Sequence, residues 1–192
     1  MHDLIAKGYA VRIPGNELCR DDGKVWHLPH HPVINLNKEK PWIVFDCAVE
    51  CHGTSLNDKV FQGPDLTYKF VGVVLRFRLH RIVIMGDIEA IFHQVRVPQR
   101  DQDVLCFLWW PKGDLQQSPA TYRMTVHLFG GTWSSICYTY ALHRTAADYA
   151  QHYSSAARET VLENFYVDDC FKSVPSVSEA VDLVKQFKGL VS

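Results

Sequence analysis

The sequence lacks any long apolar run. Hydrophobic residues make up 47% of its 192 residues, yet no stretch approaches the about 18 apolar residues that a membrane-spanning helix requires. The first residues, MHDLIAKGYAVRIPG, also lack the continuous apolar core of a signal peptide. We therefore expect a globular protein without a membrane partner, and the chain is long enough for one sizeable domain.

The sequence also lacks a strong charge of either sign. Its net charge is −1, so the overall charge gives no sign of a nucleic-acid or membrane partner. The stretch from Arg76 to Arg100 is locally basic. The usual interpretation of such a stretch is a solvated face, and phosphate binding is the alternative.

The six cysteines contain no CxxC pair. Cys106, Cys137 and Cys170 stand among apolar neighbours, which is typical of small core residues. The whole pattern predicts free thiols in a reducing, intracellular compartment. Cys47 and Cys51 have some metal-ligand character, so a zinc site stays open as an alternative.

Helical and strand patterns are interleaved along the chain. The segments with helical spacing are 1–10, 66–80, 134–153 and 176–191. The segments with strand character are 41–49, 81–87, 104–110, 122–130 and, as two short strands, 164–174. Ser176 and Glu179 predict a capping box at the start of the last helix. Because no regular βαβ repeat is present, we predict an α+β fold in a single domain.

Two adjacent carboxylates, Asp168 and Asp169, lie in the apolar segment NFYVDDCF. Like charges beside packed structure are costly unless a cation neutralises them. The only other Asp-Asp pair, in CRDDGK at 21–22, has basic and glycine neighbours and is typical of a solvated turn. The contrast favours a metal-binding hairpin with Asp168 and Asp169 at its bend.

A two-metal site needs a further carboxylate from elsewhere in the chain. Asp87 ends the apolar segment RIVIMGD, and Glu89 is the competing candidate two residues later. Two divalent ions about 3.5–4 Å apart can hold both the attacking and the leaving oxygen in phosphoryl transfer. Carboxylate oxygens are the ligands that Mg²⁺ and Mn²⁺ prefer, so we predict two such ions.

Six segments carry a resemblance to a known family. They are FDCAVECHGTSLNDKVFQGPDL, LRFR, DIEAIFHQVRVP, FLWWPKGDL, YRMTVHLFG and NFYVDDCFKSVPS, in that order over nearly the whole chain. With this ordered set the sequence resembles the reverse transcriptases, the RNA-directed DNA polymerases, of Bel/Pao-type long-terminal-repeat retrotransposons. The resemblance implies a right-hand polymerase, with fingers over about 1–80 and a truncated palm, an antiparallel sheet with packed helices, over about 81–192.

The resemblance also implies roles for individual residues. The catalytic carboxylates, and the ligands of two Mg²⁺ or Mn²⁺ ions, would be Asp87, Asp168 and Asp169. A primer 3′-hydroxyl, on an RNA or DNA template, would attack the α-phosphate of a deoxynucleoside triphosphate. Phe92 would exclude a ribose 2′-hydroxyl, and Phe129 and Gly130 would lie against the incoming nucleotide. Family members act in cytoplasmic particles, which implies a cytoplasmic location.

Three positions differ from the family pattern. Trp42 replaces a basic residue, Trp133 a small residue and Ser135 a proline. The chain also stops at Ser192, before the family's thumb, so we expect no thumb and little or no polymerisation by this chain alone. Two alternatives stay open: an inactive retrotransposon remnant, and a nucleic-acid-binding module that uses Arg76, Arg78 and Arg96.

Overall fold

The computed structural model describes residues 1–15, 17, 23–34, 41–66 and 70–190. The solvated turn predicted at 21–22, the thiol of Cys19 and positions 67–69 of the helix predicted over 66–80 lie outside the described residues. Within the described ranges, no helix combines the length and the apolar character needed to cross a membrane.

The described residues form helices and antiparallel strands, which confirms the prediction of a mixed fold. The helices are α1 His2–Ala6, α2 Leu56–Lys59, α3 Phe70–Phe77, α4 Ser134–Asp148, α5 Ser155–Glu163 and α6 Val177–Leu190. The strands are β1 Ala10–Arg12, β2 His30–Val33, β3 Trp42–Phe45, β4 Ile82–Asp87, β5 Cys106–Trp109, β6 Ala120–Met124, β7 Phe165–Tyr166 and β8 Asp169–Val174. Short 3₁₀ segments cover Ile91–Gln94, Gln99–Leu105 and Pro111–Gly113.

The chain divides into two compact units. The first comprises Met1–Gln62 and Phe92–Ser134, and the second comprises Gly63–Ile91 and Ser135–Ser192. Each unit is therefore built from two separate segments of chain. The assignment of fingers to about 1–80 and palm to about 81–192 stays a prediction.

The first unit contains a three-stranded antiparallel sheet in the order β1-β6-β5 and a two-stranded sheet of β2 and β3. Pro32 lies within β2, which pairs only with β3 among the described strands, as the missing amide of proline requires. The core is aromatic. Phe45 and Phe107 are buried and meet edge to face with ring centroids 5.1 Å apart, a geometry that adds about 0.5–1.5 kcal/mol beyond burial.

A buried ion pair also lies in the first unit. Arg123 of β6 donates Nη1 to Oδ1 of Asp103 at 2.8 Å, and the side chains are 15% and 8% exposed. The pair joins the 3₁₀ segment Gln99–Leu105 to β6. Arg123 also contacts Oε2 of the half-exposed Glu17 at 3.9 Å, so Asp103 is the closer of its two carboxylate partners.

The second unit contains a three-stranded antiparallel sheet in the order β4-β8-β7. On one face, apolar side chains of the sheet pack against α5 and α6; they are Ile82, Ile84 and Val174. On the other face, Phe171 meets Phe77 of α3 edge to face, with centroids 5.6 Å apart. On this second face α3 packs against β7 and β8, whereas Val83 and Met85 of β4 remain exposed.

Some elements end at other residues than the sequence predicts. The helix predicted over 134–153 ends at Asp148, and α5, which was not predicted, begins after Ser154, whose Oγ accepts the Ala157 amide at 3.2 Å. The strand predicted over 122–130 ends at Met124, and beyond it the backbone bonds to the segment 95–97, as in the bond from the amide of His127 to the carbonyl of Val95 at 3.0 Å. The predicted cap of α6 is confirmed, since Oγ of Ser176 accepts the amide of Glu179 at 3.3 Å.

Candidate carboxylate site

The segment NFYVDDCF forms a hairpin between β7 and β8, which confirms the two predicted strands. Tyr166 is opposite Asp169, so Val167 and Asp168 form a two-residue turn. Val167 has φ 56°, a left-handed conformation that is unfavourable for a β-branched residue and costs about 1–3 kcal/mol. The hairpin thus places Asp168 in the turn and Asp169 at the start of β8.

Asp87 and Asp169 face each other across β4 and β8. They are register partners, and the amide of Ile88 donates to the carbonyl of Asp168 at 3.2 Å. In an antiparallel ladder this bond lies beside the pair and not within it, so Asp87 and Asp169 form a non-hydrogen-bonded pair. The Cα atoms of such a pair lie about 4.5 Å apart, and both side chains project from the same face of the sheet. Glu89, the competing candidate, lies beyond the end of β4. The structure therefore brings Asp87, rather than Glu89, opposite the hairpin.

Negative charge accumulates at this end of the sheet. Desolvation, followed by the charges of Asp168 and Asp87, raises the pKa of the Asp169 carboxyl. Burial, followed by the charges of Asp168 and Cys170, raises the pKa of the Tyr138 hydroxyl on α4. Burial is the larger cause of both pKa shifts, and the neighbouring carboxylates add a smaller contribution of negative charge that a divalent cation would offset.

The donor set fits a hard divalent cation, because carboxylate oxygens are the ligands that Mg²⁺ and Mn²⁺ prefer. Within the described ranges, no three Asp, Glu, His or Cys side chains are grouped closely enough to hold an ion as they stand. Binding an ion here would therefore require the carboxylates of Asp87, Asp168 and Asp169 to turn toward one another.

The predicted nucleotide-binding residues lie in the first unit, whereas the carboxylates belong to the second. Phe92, in the 3₁₀ segment Ile91–Gln94, is 8% exposed, and its ring meets that of Phe129 edge to face with centroids 4.6 Å apart. Phe129 is the more exposed ring of the two, at 37%. Phe92 is therefore firmly held by packing, and Phe129 is its partner toward the surface.

The backbone around Gly130 requires glycine. Its φ is 109°, and a Cβ at this position would overlap the carbonyl oxygen of Phe45 and lie 3.2 Å from the carbonyl carbon. Gly130 therefore lies directly against the backbone at the end of β3. This contact accounts for the glycine by itself, so a role of Gly130 in nucleotide binding stays a prediction.

Asn57 of α2 holds the same turn and was missed by sequence reasoning. It donates Nδ2 to the carbonyl of Gly130 at 3.3 Å and accepts the amide of Thr132 at 3.1 Å. The capping box of Ser55 and Asp58 marks the start of α2, but it does not indicate which backbone groups Asn57 would bond. The amide of Asn57 therefore joins α2 to the loop that carries Phe129 and Gly130.

The positions that differ from the family pattern have separate surroundings. The side chain of Trp133 is 7% exposed. Its ring lies so close to Gly131 that a Cβ atom added to Gly131 would be 2.7 Å from the nearest ring carbon. The bulky ring is therefore accommodated by the absence of a side chain at Gly131. Trp42 begins β3 and is 40% exposed, and Ser135 lies in the first turn of α4.

The arginines of the alternative nucleic-acid-binding hypothesis differ in their contacts. Arg76 donates Nε to the carbonyl of Glu163 at 3.1 Å, and its Nη2 contacts the same oxygen. Arg76 thus satisfies a carbonyl at the end of α5. Arg78 and Arg96 are exposed, but they belong to different units.

The cysteines of the alternative zinc hypothesis also differ. Cys47 is buried, and desolvation, followed by the charge of Asp46, raises the pKa of its thiol to about 12. Cys51 is exposed. Because zinc binds the thiolate form, the environment of Cys47 is unfavourable for this role.

Comparisons with known proteins bear on the fold. No protein-family model matches the chain, and no curated protein matches its sequence. Many solved structures resemble it, and two of them are foamy viral proteins. A foamy viral protease-reverse transcriptase dRH in complex with double-stranded DNA is 16% identical, has a TM-score of 0.70, and is matched over 98% of this chain and 27% of that chain. A foamy viral protease-reverse transcriptase in complex with double-stranded DNA is 16% identical and has a TM-score of 0.67. It is matched over 99% of this chain and 33% of that chain.

The chain therefore has a reverse transcriptase-like fold, as the resemblance in its motifs predicted. It spans about a quarter to a third of the length of those two proteins. At such low identity the likeness concerns the fold alone, and the Bel/Pao subtype stays a prediction.

Proposed function

We propose that the chain is the fingers and palm of a Bel/Pao-type reverse transcriptase and that its protein transfers deoxynucleotides to a primer 3′-hydroxyl. Asp87, Asp168 and Asp169 would hold two Mg²⁺ or Mn²⁺ ions. The observation that supports this most is the register that pairs Asp87 with Asp169 beside the turn that contains Asp168. The reverse transcriptase-like fold is consistent with it.

The protein's part in this chemistry is to position charge. The side chains of Asp87 and Asp169 project from the same face of the sheet. Asp168 is held by its carbonyl, which accepts a hydrogen bond from the amide of Ile88. When bound, the ions would supply the positive charge that phosphoryl transfer requires. The neighbouring charges of Asp168 and Asp87, which contribute to the raised pKa of Asp169, favour the binding of cations.

The proposed partners are a primed RNA or DNA template and deoxynucleoside triphosphates. The similar foamy viral structures are complexes with double-stranded DNA, which supports a nucleic-acid partner. Phe92, packed against Phe129, would exclude the 2′-hydroxyl of a ribonucleotide. Replacing Phe92 by valine should then reduce discrimination against ribonucleotides.

Manganese binding tests the proposal directly. Mn²⁺ titrations followed by electron paramagnetic resonance should show that Asp87→Asn and Asp168→Asn each weaken binding by about tenfold or more. Asp182→Asn is the matched control, because it removes an exposed carboxylate of α6 in the same unit. Equal Mn²⁺ affinity in all variants would contradict the proposal.

Nucleotide binding separates the proposal from its alternatives. We expect deoxynucleoside triphosphate to bind only with Mg²⁺ or Mn²⁺ present. A chain that binds neither metal nor nucleotide would favour the inactive remnant. RNA binding that weakens with salt but survives Asp87→Asn, without metal-dependent nucleotide binding, would favour the nucleic-acid-binding module.

A further inference from the structure

Asn164 belongs to a helix and to a hairpin at once. It is the C-terminal cap of α5, where its backbone amide donates to the carbonyl of Thr160 at 3.0 Å. Its own carbonyl accepts the amide of Phe171 in β8 at 2.8 Å. The residue is 1% exposed. Its backbone donor is therefore bonded within the helix, while its backbone acceptor is bonded to the hairpin.

This arrangement leaves one bond of the hairpin ladder without its usual donor. In an antiparallel ladder, hydrogen-bonded pairs alternate with non-hydrogen-bonded ones, and a hydrogen-bonded pair exchanges two bonds. Tyr166 and Asp169 flank the turn, so Asn164 and Phe171 are the next hydrogen-bonded pair toward the open end. The second bond of that pair should run from the amide of Asn164 to the carbonyl of Phe171, but that amide is committed to Thr160.

The side chain of Asn164 makes the missing bond. Its Nδ2 donates to the carbonyl of Phe171 at 3.0 Å, and its Oδ1 accepts from Nζ of Lys172 at 3.3 Å. The two partners determine the orientation of the amide, because a carbonyl requires a donor and an ammonium group requires an acceptor. The carboxamide thus completes the ladder in place of the backbone.

We propose that Asn164 is a positioning residue whose side chain, replacing a backbone donor, locks the register of β7 against β8 and so fixes the turn that places Asp168 beside the opposed pair Asp87 and Asp169. The role rests on the proposed function of those carboxylates. A one-residue slip of β7 against β8 would move every side chain of β7 to the other face and displace the turn. The residue at 164 must therefore end α5 with its backbone amide and also carry a side-chain donor long enough to reach the carbonyl of Phe171. An aspartate or a leucine lacks this donor.

Amide hydrogen exchange tests the positioning itself. The amide of Ile88, which donates to the carbonyl of Asp168, reports the place of the turn, and the amide of His80, which donates to Oγ of Ser173 at the far end of β8, is the internal control. In Asn164→Leu we expect the Ile88 amide to exchange about tenfold faster relative to that of His80. Equal acceleration at both amides would mean general destabilisation and would overturn the proposal.

Two matched variants separate the bonds of Asn164. Lys172→Met removes only the ammonium partner, so the relative exchange of Ile88 should stay unchanged. Val161→Ala opens a cavity in the same helix at a fully buried position and should accelerate both amides together. An effect of Lys172→Met as large as that of Asn164→Leu would refute the assignment of the role to the bond with Phe171.

A measurement on the unaltered protein remains decisive if Asn164→Leu does not fold. Scalar coupling across the hydrogen bond should connect Nδ2 of Asn164 with the carbonyl carbon of Phe171 in the magnetic resonance spectrum. Absence of this coupling, with rapid exchange of the carboxamide protons, would overturn the proposal.

Manganese affinity then links the register to the carboxylates. We expect Asn164→Leu to weaken Mn²⁺ binding by about tenfold, as loss of a residue that orients ligands does, and Val161→Ala to leave it unchanged. Equal affinity in Asn164→Leu and the unaltered protein would overturn the link to the carboxylates. If the unaltered protein binds no Mn²⁺, the proposed function is wrong. The hydrogen exchange of the Ile88 amide still decides, in that case, whether Asn164 sets the register of β7 against β8.

Discussion

Replacing Gly130 by alanine should lower the free energy of unfolding by about 2–6 kcal/mol. Two effects add at this position. An alanine held at φ 109° costs about 1–3 kcal/mol, and the overlap of its Cβ with the carbonyl of Phe45 forces a backbone shift that costs about 1–3 kcal/mol more. The sum is a large part of the stability of an ordinary domain, about 5–15 kcal/mol.

Gly53→Ala is the matched control in the same unit. Gly53 has φ 75°, and a Cβ there would meet nothing within 4 Å. The substitution therefore carries only the conformational cost, about 1–3 kcal/mol. The difference between the two variants measures the close approach of Gly130 to the end of β3.

Urea denaturation provides the assay, with tryptophan fluorescence and circular dichroism as separate probes. Trp133 is buried in the first unit, so its fluorescence should follow the unfolding of that unit. If Gly130→Ala costs no more than Gly53→Ala, the contact with Phe45 does not require the glycine. In that case a ligand contact, visible as weakened nucleotide binding in a stable variant, would be the better explanation of Gly130.

Three further changes test the first unit. In this unit, burial lowers the pKa of three described histidines, which are His30, His93 and His127. The unfolded chain then binds more protons than the folded chain, so the melting temperature should fall as the pH drops through about 6.5. A melting temperature that rises on acidification would contradict this. Asp103→Ala should cost about 1–3 kcal/mol in urea denaturation, because it removes the closer of the two carboxylates that contact the largely buried guanidinium and leaves only Glu17 at 3.9 Å; a cost below about 1 kcal/mol would show that Glu17 or water takes the place of Asp103. Asn57→Ala should cost about 1–3 kcal/mol through its two lost bonds, measured in the same way, and an unchanged midpoint would refute its role in holding the turn.

The sequence predicted the parts of the fold that depend on local pattern. RIVIMGD and NFYVDDCF are rich enough in β-branched and aromatic residues, and are separated clearly enough by turn residues, to be recognised as strands from the sequence alone. The end of β6 was not predictable in this way, because beyond Met124 the backbone bonds to the segment 95–97 instead of β1, and a local pattern does not show such a change of partner. The helix α5 was missed since it buries only Ala157, Thr160 and Val161, which is too few to give a clear helical stripe.

The site was predicted in part for the same reason. Asp87, Asp168 and Asp169 are visible because charge interrupts apolar segments. Asn164 and Asn57 act through hydrogen bonds to backbone atoms, and the sequence does not show which carbonyl or amide will be nearby. The surroundings of Gly130 likewise depend on a strand more than 80 positions earlier.

The alternation of the two units along the chain has a consequence for synthesis on the ribosome. The segments of the first unit are complete once Ser134 has emerged, but β4 of the second unit must wait for β8. About 80 residues separate Asp87 from Asp169, which corresponds to about 4–16 s of translation. During that interval the apolar strand IVIM has no partner in its own sheet and is open to pairing with other nascent chains. The opposed carboxylates are thus created only once β8 has emerged and paired with β4, so their formation reports that the sheet of the second unit has paired correctly.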